Sequence, residues 1–207
     1  MPLESRRLYL LFTPELCRGE PFATLAAALA GGVDLVQWRV KQSDPTGLRR
    51  CMELCAEAGV PVLVNDDVGL AVASGAAGAH VGQQDMPAAR ARALLGPRRL
   101  LGVSTHSLAE LRAAERDGAD HVGFGPCFPT ATKGYATAQP AGALRAALAA
   151  TRLPVFAIGG ITAANLPLVL AEGATRIAVA GAILQAEDPG AAAAGLAAAL
   201  RKVWPRA

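Results

Sequence analysis

The feature that most constrains the fold is a recurring junction between a helix and a strand. Three segments share the end of a helical pattern, a glycine and the start of an apolar run: "EAGVPV" at 57–62, "DGADHV" at 117–122 and "EGATRI" at 172–177. Glycine is favoured just after a helix because it readily adopts the left-handed conformation found there. The repetition predicts a chain built from strand–helix units.

Eight short apolar runs alternate with segments rich in Ala, Leu and Arg that have helical spacing. Most successive runs begin roughly 20–30 residues apart, as consecutive strand–helix units do. The predicted strands are 8–12, 35–40, 62–64, 79–81, 100–103, 121–124, 155–158 and 176–180. The predicted helices are 45–58, 88–95, 107–117, 141–149, 163–172 and 189–203.

Eight units predict an α/β fold, a single-domain (βα)8 TIM barrel over residues 1–207 with its active site at the carboxyl ends of the strands. No linker, low-complexity tract or shift in composition divides the chain. The alternative is a doubly wound open sheet, which is less favoured because no G-x-G-x-x-G follows the first strand.

Composition and charge exclude several classes of protein. The net charge is only +3 with Arg spread along the chain, so no nucleic-acid partner is expected. No apolar run reaches membrane-spanning length and the start lacks the form of a signal peptide, so a soluble, cytoplasmic protein is expected. The four cysteines form no CxxC pair, and buried free thiols are predicted.

The carboxyl ends of the strands in such a barrel meet at one mouth, where functional residues collect. The second apolar run ends in "QWRVK", whose side chains alternate between two faces. Trp38 and Val40 are predicted to pack outward against helices. Gln37, Arg39 and Lys41 are then predicted to point into the mouth, where an amide and two cations suit a polyanion such as diphosphate. A solvated strand end is the alternative.

Carboxylates follow the third and fourth runs, in "VNDD" and "HVGQQD". Asp66 and Asp85, brought together by neighbouring strands, are predicted to bind Mg²⁺, which prefers carboxylate, water and phosphate oxygens. Asn65 and Gln83 are predicted to orient them or to contact a ligand. The alternative is that these aspartates only cap helices, a role for which Asp67 is better placed than Asp66.

The fifth and sixth runs end in groups that suit an anion. "GVSTHS" is predicted to place Ser104, Thr105 and His106 at the mouth. The long loop of residues 123–140 has the length of a functional lid, and Thr130, Thr132 and Lys133 supply it with hydroxyl and ammonium donors.

The last two runs end in small residues, in "AIGGIT" and "AVAGAI". These small residues, Gly159, Gly160, Ala180 and Gly181, are expected to let backbone N–H groups approach a phosphate. A phosphate site after strands seven and eight recurs in this fold. His80 and His121 lie within apolar runs and are predicted to be core residues rather than metal ligands.

The ordered series of motifs resembles one family, thiamine phosphate synthase. The markers run from "LYLLFT" to "AILQAEDP" and cover nearly the whole chain: "QWRVK", "VNDD", "HVGQQD", "GVSTH", "GFGPCFPTATK", "AIGGI" and "AVAGAIL". The resemblance implies a Mg²⁺-dependent transferase of thiamine biosynthesis. Such an enzyme joins hydroxymethylpyrimidine diphosphate to thiazole phosphate and releases thiamine phosphate and pyrophosphate.

The resemblance also implies roles for individual residues. The Mg²⁺ ligands would be Asp66 and Asp85, and the catalytic residues Arg39, Lys41, Ser104 and Lys133. The implied substrate-binding residues are Gln37, Trp38, Arg39, Val40, Lys41, Asn65, Ser104, Thr130, Ala131, Thr132, Lys133, Gly160, Ala180 and Gly181.

Three positions depart from the family pattern. Val40 stands where the family often has Glu, Pro14 where an Asp often follows the Thr, and Gly181 where Ser is frequent. The last change removes a hydroxyl donor to phosphate but keeps the backbone N–H. None of the three removes an implied metal ligand.

Other functions stay open at this stage. A thiazole tautomerase-like protein would carry a His in the strand 6 loop, where this chain has Pro126, and would lack the two carboxylate motifs. A barrel that binds thiazole or thiamine phosphates without catalysis, or an isomerase or epimerase, is a further alternative. Barrels of this size often associate, and the sequence leaves a homo-oligomer open.

Overall fold

In the computed structural model, which describes residues 3–129 and 137–203, eight parallel strands form a closed barrel in chain order. β1 also pairs with β8, with Leu8 beside Ile177 and Leu10 beside Val179. The strands are β1 (Leu8–Phe12), β2 (Leu35–Trp38), β3 (Val62–Asn65), β4 (Gly78–Val81), β5 (Leu100–Thr105), β6 (His121–Phe124), β7 (Val155–Ile158) and β8 (Ile177–Val179). The predicted (βα)8 barrel is confirmed.

Helices cover the outside of the barrel. Within the described ranges they are α1 (Pro21–Ala30), α2 (Pro45–Glu57), α3 (Val68–Ser74), α4 (Ala88–Leu95), α5 (Leu108–Arg116), α6 (Ala143–Ala150), α7 (Leu166–Ala171), α8 (Gly181–Leu184) and α9 (Pro189–Val203). A 3₁₀ helix at Pro14–Leu16 precedes α1. The six predicted helices are confirmed, with small differences at their ends. The short helices α3 and α8 span too few turns to show a helical period in the sequence.

The second strand is shorter than predicted. β2 ends at Trp38, although the backbone N–H of Arg39 still donates to the carbonyl of Phe12 at 2.9 Å. The expected alternation of faces therefore does not extend to Val40 and Lys41, which lie in the connection to α2. That helix begins where the side chain of Asp44 accepts the N–H of Gly47 at 2.8 Å.

Side-chain caps begin the helices that follow two other strands. Asp67 accepts the N–H of Leu70 at 2.8 Å and begins α3, as the sequence predicted. Ser107 accepts the N–H of Glu110 at 3.2 Å and begins α5. These caps set where the chain leaves the mouth and enters the outer layer.

The inside of the barrel is filled by rings rather than by aliphatic side chains alone. Tyr9 lies 5.3 Å from Phe156 and 5.8 Å from His121 between ring centroids, and all three are buried. His80 is also buried, with its ring 5.5 Å from that of His121. The prediction that both histidines are core residues is confirmed. All four cysteines are free, as predicted, and Cys51 and Cys55 are buried. No helix within residues 3–129 and 137–203 is long and apolar enough to pass through a bilayer.

Gly102 is the residue that makes room for the two histidine rings. A Cβ at this position would lie 2.3 Å from His80 Nδ1 and 2.4 Å from His121 Nε2. We expect Gly102→Ala to lower the free energy of unfolding by about 1–3 kcal/mol, because the added methyl overpacks a closed interior. Chemical denaturation monitored by circular dichroism measures the change.

The matched control is Gly195→Ala on α9, where a Cβ would meet nothing within 4 Å. That substitution should raise stability by about 0.5–1 kcal/mol through helix propensity. Equal effects of the two substitutions would contradict the packing described for the barrel interior.

Candidate active site

A cavity of about 450 Å³ opens at the carboxyl ends of the strands. Residues that follow β2, β5, β6, β7 and β8 line it, which places the cavity at the barrel mouth. The described lining residues are Leu11, Arg39, Ser104, His106, Gly123, Gly125, Pro126, Pro129, Ile158, Gly159, Gly160, Ile161, Thr162, Ala178, Val179, Ala180, Gly181, Ala182 and Gln185.

Arg39 brings positive charge to the cavity. Its Nε is buried and has no hydrogen-bond partner among the described residues. A buried guanidinium donor without a partner costs free energy, and an anionic ligand oxygen in the cavity would remove that cost. The geometry therefore suits a phosphorylated ligand.

Small residues form another part of the cavity lining. Gly159 and Gly160 adopt positive φ angles of 99° and 63°, which glycine tolerates best. Ala180 and Gly181 lead into the first turn of α8. Both segments line the cavity. In this fold, backbone N–H groups at these positions commonly bind phosphate.

Ser104 is held from two sides. Its hydroxyl lies 3.0 Å from Nε2 of His80, in the barrel interior. Its carbonyl accepts a hydrogen bond from Nε2 of Gln83 at 2.7 Å. The hydroxyl therefore has a defined position at the floor of the cavity.

The two predicted metal-binding aspartates lie at the ends of neighbouring strands. The N–H of Asp66 donates to the carbonyl of His80 at 2.8 Å, so the end of β3 is tied to β4. Asp85 follows β4, and its Oδ2 accepts the N–H of Gly82 at 2.8 Å. Both side chains are exposed, and neither lines the cavity described above.

The backbone of Asp66 is strained. Its φ of 64° is the only positive φ at a residue other than glycine within the described ranges. Such conformations cost about 1–3 kcal/mol and tend to occur at functional sites. Asn65 Nδ2 donates to Asp66 Oδ2 at 2.6 Å and so orients the carboxylate.

The donor chemistry of this pair fits Mg²⁺. Two oriented carboxylates supply hard oxygen ligands, and Mg²⁺ commonly takes its remaining ligands from water and substrate phosphates. Among the described residues, no three His, Cys, Asp or Glu side chains come together as a fuller metal site. Asp66 and Asp85 offer two of the oxygen ligands that such an ion needs.

The other predicted residues of the second strand lie in different environments. Gln37 is buried inside the barrel, and its Nε2 donates to the Tyr9 hydroxyl at 2.8 Å. Trp38 packs on the outside, with its ring 5.7 Å from that of Phe12. Val40 is half-buried against the core. Lys41 is exposed and is not among the described residues that line the cavity. Thr130, Ala131, Thr132 and Lys133 fall outside the described residues.

Sequence reasoning missed several residues of the cavity and its surroundings. Thr162 and Gln185 line the cavity without having been predicted. The sequence predicts His80 only as a core residue, although its Nε2 contacts the Ser104 hydroxyl. Thr162 and Gln185 both lie within quoted motifs, "AIGGIT" and "AILQAEDP", whereas nothing local in the sequence pairs His80 with Ser104.

The fold and the position of the cavity define a (βα)8 barrel whose candidate site lies at the carboxyl ends of its strands. A family model described as "Thiamine monophosphate synthase" (TMP-TENI) matches residues 8–183. The chain belongs to this thiamine monophosphate synthase family.

Individual relatives agree with this assignment. The chain is 44% identical over 207 residues to "Thiamine-phosphate synthase" of Prochlorococcus marinus (strain MIT 9303), covering 96% of this chain and 58% of that protein. It thus spans little more than half the length of that relative. It is 45% identical to the protein of the same name from Chloroflexus aurantiacus, covering 93% of this chain and 91% of the relative.

A solved structure shows the same architecture. "Thiamine phosphate pyrophosphorylase from Pyrococcus furiosus" superposes with a TM-score of 0.86 at 32% sequence identity, covering 96% of this chain and 97% of that one.

The buried His121 makes stability depend on pH. Burial lowers the pKa of His121 to about 4, below its ordinary value of 6.5. As pH falls from about 6.5 toward 4, the unfolded chain takes up a proton at this residue that the folded chain does not. We expect unfolding free energy to fall over this window by up to about 1.4 kcal/mol per pH unit from this residue.

Urea denaturation at pH 7.0, 5.5 and 4.5 measures this dependence. His121→Gln removes the titrating ring. The unfolding free energy of this variant should therefore change less between pH 7.0 and 4.5 than that of the unsubstituted protein. Parallel profiles for the two proteins would contradict the assignment.

Proposed function

We propose that this protein is a Mg²⁺-dependent thiamine phosphate synthase, a transferase of thiamine biosynthesis. Its substrates would be hydroxymethylpyrimidine diphosphate and thiazole phosphate, and its products thiamine phosphate and pyrophosphate. The observation that carries the proposal is the presence, at one barrel mouth, of a cavity lined by Arg39, whose Nε is buried, and of two carboxylates that follow the adjacent strands β3 and β4. Family membership supports the same activity.

The proposed organisation is one barrel domain over residues 1–207 with its active site at the carboxyl ends of the strands. A cytoplasmic location is part of the proposal, since free cysteines such as the buried Cys51 and Cys55 persist in a reducing compartment. The proposed partners are the two small-molecule substrates.

The two parts of the mouth would have separate tasks. Asp66 and Asp85 would hold Mg²⁺, which when bound neutralises charge on the diphosphate. Arg39 and Lys41, with Ser104 and Lys133, would hold the diphosphate oxygens of the pyrimidine substrate. Backbone N–H groups after β7 and β8 would bind the thiazole phosphate.

The reaction needs charge stabilisation more than proton transfer. The carbon–oxygen bond to diphosphate breaks, and its electron pair leaves with pyrophosphate. The cation left on the pyrimidine methylene is stabilised by the aminopyrimidine ring. The thiazole nitrogen then donates its lone pair to form the new carbon–nitrogen bond, so no general base is required. The protein supplies placement and electrostatic stabilisation.

The coupling assay tests the activity directly. Purified protein with both substrates and Mg²⁺ should release pyrophosphate and form thiamine phosphate, and excess EDTA should abolish both. Omission of thiazole phosphate is the control for simple hydrolysis. Tight binding of thiazole phosphate with no pyrophosphate release would instead support a non-catalytic binding barrel.

Substitution of the aspartates tests the metal ligands. Asp66→Ala or Asp85→Ala should reduce kcat by about a hundredfold or more, because a single missing electrostatic stabiliser has effects of this size. Where a variant keeps some turnover, its Mg²⁺ concentration for half-maximal activity should be higher than that of the unsubstituted protein.

Asp67→Ala is the matched control, since Asp67 is equally acidic and adjacent but serves as the cap of α3. It should lower stability by about 1 kcal/mol and leave the Mg²⁺ dependence unchanged. Near-normal turnover in both Asp66→Ala and Asp85→Ala would refute the metal assignment.

A further inference from the structure

One side of the cavity is a short segment that follows β6. Gly125, Pro126 and Pro129 of this segment, which we call the 125–129 wall, line the cavity. Two of its backbone N–H groups pair with the end of β7. Cys127 donates to the carbonyl of Ile158 at 2.8 Å, and Phe128 donates to that of Gly159 at 3.0 Å.

The wall packs closely on the glycines that are expected to bind phosphate. A Cβ on Gly159 would lie 2.5 Å from Cβ of Pro126, and one on Gly160 would lie 2.6 Å from the carbonyl oxygen of Pro129. A shift of the wall therefore changes the shape of the cavity at Gly159 and Gly160.

The other edge of the wall depends on side chains. Proline has no N–H, so Pro126 and Pro129 offer the neighbouring backbone only acceptors. The carbonyl of Gly125 lies 2.7 Å from Nδ1 of His106, and it also accepts Nε2 of Gln139 at 3.1 Å. Because a carbonyl only accepts, His106 carries its proton on Nδ1 in this contact.

Gln139 connects these groups. Its Nε2 also donates to the carbonyl of His106 at 2.9 Å, and its backbone N–H donates to the carbonyl of Pro126 at 2.8 Å. One amide thus ties the wall to the end of β5, next to Ser104. Gln139 is half-buried and is not among the described residues that line the cavity.

We propose that Gln139 is a positioning residue that holds the 125–129 wall between β5 and β7 and so sets the shape of the phosphate-binding side of the cavity. It acts through Gly125, Pro126 and His106 rather than by touching substrate. The part of this proposal that concerns substrate affinity rests on the proposed function.

The test compares Gln139→Met with Gln139→Glu and with Arg145→Met. Met has nearly the length of Gln but no donor, and Glu places a carboxylate against two carbonyls. Arg145 is the matched control, since it contacts the carbonyl of Ala171 at 3.0 Å and Glu172 at 3.5 Å on the outer helices, away from the cavity. All variants are first checked for cooperative thermal unfolding.

Amide hydrogen exchange reports the wall directly and does not depend on any activity. Loss of two side-chain hydrogen bonds should speed exchange at Cys127 and Phe128 by about tenfold in both Gln139 variants. Arg145→Met should leave these amides unchanged. Unchanged exchange in the Gln139 variants would overturn the proposal, whatever the enzyme does.

Steady-state kinetics report the effect on substrate. In both Gln139 variants the KM for thiazole phosphate should rise by about five- to tenfold while the KM for the pyrimidine diphosphate changes less than twofold, as expected for a local change in one subsite.

Faster exchange with an unchanged KM for thiazole phosphate would overturn the link to the cavity while the proposed function stands. A wild-type protein that releases no pyrophosphate would defeat the proposed function, and hydrogen exchange would still decide whether Gln139 positions the wall.

Discussion

The ladder between β1 and β8 is the interaction on which the rest of the structure depends. It pairs residues about 170 positions apart, such as Leu8 with Ile177, and turns a parallel sheet into a closed barrel. Closure removes every sheet edge and gives the chain an interior. Because all strands run in the same direction, closure also brings their carboxyl ends to one mouth. Arg39, Ser104 and Gly160 line a single cavity for this reason.

Hydrogen bonds within the barrel interior extend to residues at the mouth. Tyr9 accepts a hydrogen bond from the buried Gln37, and His80 contacts the Ser104 hydroxyl. Such buried polar groups are costly to leave without partners, so each contact restricts the side chain above it. The contact of His80 with Ser104 therefore contributes both to the stability of the barrel interior and to the position of a candidate site residue. A site whose groups are already in position spends less binding free energy on ordering them.

The order of strands around the barrel separates the two carboxylates from the glycine-rich segments at the mouth. The carboxylates of Asp66 and Asp85 follow β3 and β4, and the glycine-rich segments follow β7 and β8, on the far side of the barrel. Arg39 follows β2 and lines the same cavity as those segments. This division would allow the proposed Mg²⁺ and the proposed thiazole phosphate to occupy one mouth without direct competition.

Local patterns in the sequence determined the strand–helix units, the eightfold repeat and the cap at Asp67. They also determined that His80 and His121 are interior, because these features depend only on residues close together in the chain. The end of β2 at Trp38 was decided by tertiary structure, since alternation does not reveal where a strand stops pairing with its neighbours. The contacts of His80 with Ser104 and of Gln139 with His106 join residues 24 and 33 positions apart. Such contacts depend on strand register and on the packing of loops at the mouth, and barrel closure sets both.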